Sequence, residues 1–376
     1  MSATRTYLDH NATSPLRPEA RAAVLEALER GGNGSSVHAE GRWARGVIEH
    51  ARASVAALIG ARPDMVTFTS GGTEANNAVI LGAPVERIII SAIEHPSVME
   101  PARARGLPLS VVGVTDQGVI DLDQLSAALA EPGRALVAVM AANNETGVIQ
   151  PLDRISALAR EHGALVHVDA IQAAGRLPLA WPLLDIDSMA LSGHKLGAPA
   201  GIGALVTAPH LDLAAQMLGG GQEQRRRAGT ENLSGIAGMG AASRAAQTQL
   251  IGERARLGAL RDRFEQRLTE IAPGAVVFGQ GAERLGNTSC FALPGLTAQL
   301  LVISLDLEGI AVSSGSACSS GKVARSHVLE AMGVDADLAA GAIRVSLGWT
   351  TTEHDMDRLL GSLATIIERK HARRAA

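Results

Sequence analysis

The sequence predicts an α/β protein: a largely parallel sheet covered by helices, followed by a smaller α+β unit toward the C-terminus. Three observations carry that expectation. Short apolar runs alternate with helix-period segments through the first two thirds of the chain. Polar residues gather where those runs end. Near residue 235 the alternation gives way to one long helical pattern, and shorter strands follow.

Residues 65–70 read as a strand that runs into Gly71-Gly72-Thr73, with a helix expected over 73–82. The run 87–92 is a second strand, ending at Glu94-His95-Pro96, and 136–141 is a third, leading into Asn143-Asn144-Glu145. Leu152, Ile155, Leu158 and Ala159 recur at helical spacing, and Gly163 is placed to stop that helix. The strand 165–168 closes on Asp169, 188–192 reaches Lys195, and 201–206 suits a returning antiparallel strand. Beyond residue 235, Leu257, Leu260, Phe264, Leu268 and Ile271 form an apolar stripe that Pro273-Gly274 ends. Strands are expected at 287–293, 309–313 and 342–347, and a capping box from Thr350 to Glu353 opens the last helix. The expected division is a large unit over 15–250 and a small one built from 1–14 and 251–376.

Composition narrows the function classes. The 376 residues are 46% hydrophobic and 19% charged, as in a globular protein. Aromatic content of 2% argues against base stacking, and a net charge of −4 gives no broad attraction to nucleic acid or anionic membrane. Two cysteines, Cys290 and Cys318, exclude a disulfide framework or a four-cysteine metal site. The opening Met-Ser-Ala-Thr-Arg-Thr lacks the apolar core of a signal peptide, and no apolar run is long enough for a bilayer. A soluble, cytoplasmic protein is expected.

Several strand-end residues are candidates for chemistry. Lys195, in Ser192-Gly193-His194-Lys195, follows an apolar strand and precedes Gly197 and Pro199. Most turn lysines are simply solvated. One controlled by local backbone can be desolvated, which lowers its pKa and frees the amine for a Schiff base with pyridoxal 5'-phosphate (PLP). Asp169 is weak alone, because such aspartates often cap helices, but beside Lys195 it would keep a pyridine nitrogen protonated. Gln172, one turn on, suits a hydrogen bond to a ring oxygen, or is a polar helix-start residue.

Ser70-Gly71-Gly72-Thr73 joins a strand to a helix start, where N–H groups and the helix dipole favour phosphate. It has neither the Walker nor the Gly-x-Gly-x-x-Gly spacing. Ser192, His194 and Thr230 would add donors. His95 is either structural or a planar ring to stack on a cofactor and shuttle protons. Arg344 lies in a short apolar strand and needs an anion, whether a substrate carboxylate or a structural partner. Cys290 fits an apolar filler. Cys318 differs: its neighbours are small and polar, and Lys322, Arg325 and His327 follow, a setting that favours a thiolate nucleophile.

Taken in order, these segments resemble the cysteine desulfurases of the NifS/IscS type, among the class V aminotransferase-like PLP enzymes. The matching stretches run from Tyr7-Leu8-Asp9-His10-Asn11-Ala12-Thr13 through Thr69–Asn77, Glu94-His95, Asn143–Val148, His167–Ala170, Ser192–Lys195, Gly219–Glu223, Ala228–Thr230 and Ser314–Cys318 to Ile343–Gly348. The resemblance implies a fold-type I PLP enzyme, whose large domain has a mostly parallel seven-stranded sheet covered by helices, working as a homodimer with its active site at the subunit interface. By motif, Lys195 would carry PLP, Asp169 would pair with the pyridine nitrogen and His95 would stack on the ring. Asn144 and Gln172 would contact the cofactor, Asn144 also the substrate. Gly72, Thr73, Ser192 and His194 would bind the phosphate, with Thr230 reaching from the second subunit. Arg344 would hold the carboxylate of L-cysteine, and Cys318 would take its sulfur as a persulfide, leaving L-alanine. In some members that cysteine also ligates a transferred Fe–S cluster, so Cys318 is the one metal-ligating candidate. The sulfur would pass to an acceptor protein, such as an Fe–S scaffold. A class V aminotransferase, a selenocysteine lyase and a cysteine sulfinate desulfinase are the competing activities. The chain departs from the family pattern at Gly197-Ala198-Pro199-Ala200-Gly201, Ala228 and Trp349, and Arg225 and Arg226 add charge near the expected phosphate site.

Overall fold

Strands buried on both faces read as nearly unbroken apolar runs, and the core of this molecule is built from them. The structure, a computed structural model, describes residues 5–315 and 325–375. Its large sheet has seven strands in the spatial order Val66–Thr69, Gly203–Thr207, Ser188–Ser192, Leu165–Asp169, Ala135–Met140, Arg87–Ser91 and Leu109–Val112. From Ser188–Ser192 to Leu109–Val112 every neighbouring pair is parallel, and Gly203–Thr207 is antiparallel to both its neighbours. The expected returning strand is this one, begun two residues later. Burying Val137, Val166 and Met189 against helices on one face, and Ile88, Leu136 and Leu165 on the other, holds the layers together. Burial of one such side chain contributes roughly 1.5–3 kcal/mol.

A second core lies where the chain's two ends meet. Leu8, Phe264, Phe291, Leu301, Ile343 and Leu363 pack there. Strands Ser313–Ser314, Ala342–Ser346, Thr288–Ala292 and Val276–Val277 form an antiparallel sheet, and Thr6–Tyr7 pairs in parallel with Ile310–Ala311. The 39-residue helix Leu233–Ile271 serves both cores: Ile236, Met239 and Ala246 sit in the first, Leu257, Leu260, Phe264 and Leu268 in the second.

Several elements differ from expectation, three of them instructively. Leu109–Val112 is a further strand; it lies at the sheet edge, is only partly buried, and so lacks a full apolar run. Helix Pro18–Arg30 buries only Ala20 and Ala27, too narrow a stripe to announce itself. The capping box of the last helix, Glu353–Ala375, is Thr352–Asp355 and not Thr350–Glu353. Thr352 Oγ1 donates to Asp355 (2.7 Å), whose N–H donates back (3.3 Å). Thr350 faces His10 Nε2 at 3.3 Å instead, and Glu353 pairs with Arg263 at 3.1 Å.

Candidate active site

Five loops leave the carboxyl ends of Val66–Thr69, Arg87–Ser91, Ala135–Met140, Leu165–Asp169 and Ser188–Ser192, strands that run the same way, on one side of the sheet, where open α/β sheets bind ligands. They enclose a cavity of about 430 Å³ lined by Gly72, Thr73, His95, Asn144, Asp169, Gln172, Ser192, His194, Lys195 and Arg344. These residues come from positions far apart in the chain, and the fold gathers all of them. Thr230 is exposed and does not line the cavity of this chain. Cys318 and Lys322 lie outside the described residues.

Lys195 sits in the one-turn helix Gly193–Leu196 directly after its strand. Its Nζ donates to the carbonyls of Asn11 (2.5 Å) and Ala12 (2.6 Å). Gly197 ends the turn at φ +86°, and a Cβ there would stand 2.7 Å from the Arg17 side chain and 3.0 Å from Pro15 O. Only glycine suits both the left-handed backbone and that approach.

Asp169 is buried, and its carboxylate accepts from Asn76 Nδ2 (2.8 Å) and the Ile171 N–H (3.0 Å). Burial pushes its pKa upward, against those two hydrogen bonds. Asn76 is held in turn, its Oδ1 facing His167 Nε2 at 2.9 Å. His95 caps the helix Pro96–Ala104: its Nδ1 accepts from the Ser97 N–H at 3.1 Å, so a proton on the neutral ring is on Nε2. Burial lowers its pKa and keeps it neutral. His194 faces Thr13 Oγ1 at 3.2 Å, and burial, then the charges of Lys195 and Arg176, takes its pKa down to about 4.

Arg344 is 1% exposed. It donates to Asp9 (2.8 Å) and to the Asn144 carbonyl (3.0 Å), while its Nε has no partner among the described residues. The structural ion pair and the cavity position therefore coexist. Asp9 is steadied by Ser313 Oγ at 2.8 Å. Cys290 is fully buried, and burial pushes its thiol pKa upward, as a filler requires.

The residues present fit PLP. A buried carboxylate with neutral donors calls for a cation, which a protonated ring nitrogen supplies. At the helix start Gly72–Gly82, a Cβ on Gly72 would meet Ile171 Cδ1 at 2.1 Å, so the bare backbone is needed to leave room for a phosphate. The arginine that reaches this turn is Arg227, paired with Glu74 at 3.0 Å, whereas Arg226 donates to Asp64 O on the surface. Among the described residues no group of His, Cys, Asp and Glu is disposed to hold a metal ion.

Sequence reasoning assigned no role to Asp9, Asn11, Ala12, Asn76 or Arg176. The stretches Tyr7–Thr13 and Thr69–Asn77 were matching motifs, and those were the available signal for the first four.

Fold and cavity together define an α/β enzyme of the fold-type I kind, and the profile described as aminotransferase class-V matches residues 6–359. The chain is 42% identical to the cysteine desulfurase of Gluconacetobacter diazotrophicus over 372 residues, covering 96% of this chain and 93% of that one. A NifS-like protein from Rickettsia africae superposes with a TM-score of 0.90 at 33% identity, covering 97% of this chain and all (100%) of that one. The protein solved as SspA in complex with cysteine gives a TM-score of 0.80 at 28% identity, covering 92% and 99%. The chain belongs to the class-V aminotransferase family, among the cysteine desulfurases of the NifS/IscS type.

Proposed function

We propose that this protein removes sulfur from L-cysteine, giving L-alanine and a persulfide on Cys318 that is passed to an acceptor protein for Fe–S cluster assembly or other sulfur transfer. The observation that supports it best is the meeting of Lys195, Asp169, His95 and Arg344 around one cavity. Bound there, PLP would supply an electron sink that weakens bonds at the α- and β-carbons of an amino acid.

The side chains then have distinct tasks. Lys195 Nζ would hold the cofactor and would move the α-proton; the Asn11 and Ala12 carbonyls give its ammonium a fixed resting place. Asp169 would keep the ring nitrogen protonated, with Asn76 and the Ile171 N–H fixing both carboxylate oxygens. His95, neutral with its proton on Nε2, and Gln172 and Asn144 would contact the cofactor. Gly72, Thr73, Ser192 and His194 would hold the phosphate. Arg344 receives the substrate carboxylate through N–H groups that Asp9 and Asn144 leave over. The Cys318 thiolate attacks the substrate sulfur to form the persulfide; the carbon–sulfur bond breaks, its electron pair goes to the β-carbon, and protonation there, with a proton returned to the α-carbon by Lys195, completes alanine.

The same reading takes the working form to be a cytoplasmic homodimer, with Thr230 of each subunit serving the other's phosphate. It divides the chain into units at 15–250 and at 1–14 with 251–376, and it allows Cys318 to ligate an Fe–S cluster in transit. No helix among the described residues is long and apolar enough to cross a membrane.

Two variants test the proposal. Protein loaded with PLP should show a visible absorption band that Lys195→Ala abolishes. Cys318→Ser should still bind cysteine yet release no sulfide, and mass spectrometry after cysteine treatment should find one added sulfur on Cys318 of the unaltered chain. Full turnover by Cys318→Ser would remove that residue from the mechanism. Keto-acid-dependent amino transfer without alanine from cysteine would favour an aminotransferase.

A further inference from the structure

Arg176 does not line the cavity, and nothing in the reaction outlined above uses it. It follows Gln172 by four residues in a stretch of turns, and is half-buried. Its Nη1 donates to Asn11 Oδ1 (2.9 Å), to Gln172 Oε1 and to the Gln172 carbonyl (3.3 Å), and its Nη2 to the His10 carbonyl (3.3 Å). Every one of these acceptors is neutral. Desolvation, with the Arg344 charge as second cause, draws its pKa down to about 9, which leaves it a cation at neutral pH.

A guanidinium carries donors only. The amide atom lying against it must therefore be oxygen, for Gln172 as for Asn11. Asn11 is left to donate through Nδ2, which it does to the Asn144 carbonyl (3.2 Å) and to Thr288 Oγ1 (2.9 Å). Gln172 is left to donate through Nε2. One of those hydrogens goes to the Asn11 carbonyl at 3.0 Å, and the other is available to the cavity that Gln172 lines. Without Arg176 the oxygen end of the Gln172 amide loses its cationic donor, and its orientation is left to the Asn11 carbonyl alone, which Lys195 shares.

We propose that Arg176 is a positioning residue that fixes the amide of Gln172, so that an N–H and never the carbonyl oxygen is presented to the ring oxygen of bound PLP. The inference rests on the reading of the cavity as a PLP site. It makes the position selective for a ligand oxygen that bears negative charge, because a fixed donor favours the ionised acceptor.

The test is a pH titration of the visible absorption of the holoenzyme, a readout separate from turnover. Glu74, Asp169, His95, His194, Lys195 and Arg344, the charged and titratable groups around the cavity, are the same in every variant. Gln172→Ala removes the donor and should raise the titration midpoint by about one pH unit. Arg176→Met should raise it at least as far, because the amide oxygen can then turn inward. In the double variant the two effects should not add, since Arg176 acts through Gln172. Arg176→Lys keeps a cationic donor and should hold the original midpoint. An unmoved midpoint in Arg176→Met, or fully additive shifts in the double variant, would overturn the proposal. Should the methionine variant not fold, Arg176→Lys decides: a shift equal to that of Gln172→Ala overturns it. Lack of any Lys195-dependent band in the unaltered protein would bring down the cofactor reading as well, whereas a normal band with an insensitive midpoint defeats this inference alone.

Discussion

Glu94 precedes His95 and is completely buried beneath the cavity. Its Oε1 accepts from Ser91 Oγ (2.5 Å) and the Met140 N–H (3.0 Å), while Oε2 has no partner among the described residues. Burial pushes its pKa from the usual carboxylate value of 4.5 up to about 8; the two hydrogen bonds oppose that rise and the charge of Asp169 adds to it. The folded state thus binds more protons than the unfolded chain between those two values. Stability from this group is full below pH 4.5, declines across the window, and is lost once pH passes about 8. Each pH unit within the window costs about 1.4 kcal/mol, so pH 5 to pH 8 costs roughly 3–4 kcal/mol.

Glu94→Gln resembles the protonated acid and cannot ionise, so it keeps the contacts and loses the slope. The unfolding entropy of a chain of 376 residues is about 0.8 kcal/mol/K. The melting temperature of the variant should therefore gain on that of the unaltered protein by roughly 4–5 °C between pH 5 and pH 8, as read by calorimetry at several pH values. The variant will carry some fixed cost from its amide hydrogens, but that offset does not depend on pH. A gap between the two proteins that stays constant over the window would show that Glu94 is already ionised in the folded state, and the reasoning would fail.

Three further outcomes are expected. Asp9→Ala leaves the buried Arg344 guanidinium facing one neutral carbonyl and should cost about 3 kcal/mol or more, seen as a drop in melting temperature that Asp9→Asn largely avoids. Gly72→Ala drives a Cβ against Ile171, which must yield into the cavity it lines; PLP affinity, followed by absorbance after dialysis, should weaken about tenfold for an overpacking strain of 1–3 kcal/mol. Cys290→Ser places a hydroxyl in a closed apolar position, lowering stability by about 1–3 kcal/mol while leaving persulfide formation intact, which separates the two cysteines by mass spectrometry and thermal scan.

How much of this was legible depends on the kind of signal each part sends. The strands Arg87–Ser91, Ala135–Met140 and Leu165–Asp169 are buried on both faces, and their runs of Ile, Val, Leu and Ala announce them. Side chains at strand ends were equally visible, because a lysine or an aspartate closing an apolar run is conspicuous: Lys195 and Asp169 did arrive at one cavity. The edge strand Leu109–Val112 sends half that signal and was passed over. Arg176 looks like any polar residue shortly beyond Gln172, and its meaning appears only from what its donors meet. Most of what residues 10–12 contribute was beyond sequence reasoning for a plainer reason. Carbonyls of His10, Asn11 and Ala12 hold Arg176 and Lys195, and a backbone oxygen has no letter in the sequence.

That last point bears on how the site is assembled. Asp9 bridges to Ser346 and pairs with Arg344, which ties the segment to the C-terminal sheet. Two residues on, Asn11 and Ala12 hold Lys195, which belongs to the large sheet. Arg344, proposed to take the substrate carboxylate, and Lys195, proposed to take the α-proton, are thus set relative to each other through four consecutive residues, Asp9 to Ala12. Thr6–Tyr7 anchors one end of that segment beside Ile310–Ala311, and Ser14 fixes the other through its N–H to the His194 carbonyl at 2.9 Å. A segment held at both ends has little freedom to adjust, so the distance between Arg344 and Lys195 follows from how the two cores are joined. On the proposed mechanism, this coupling would let residues from two separately packed cores meet one substrate.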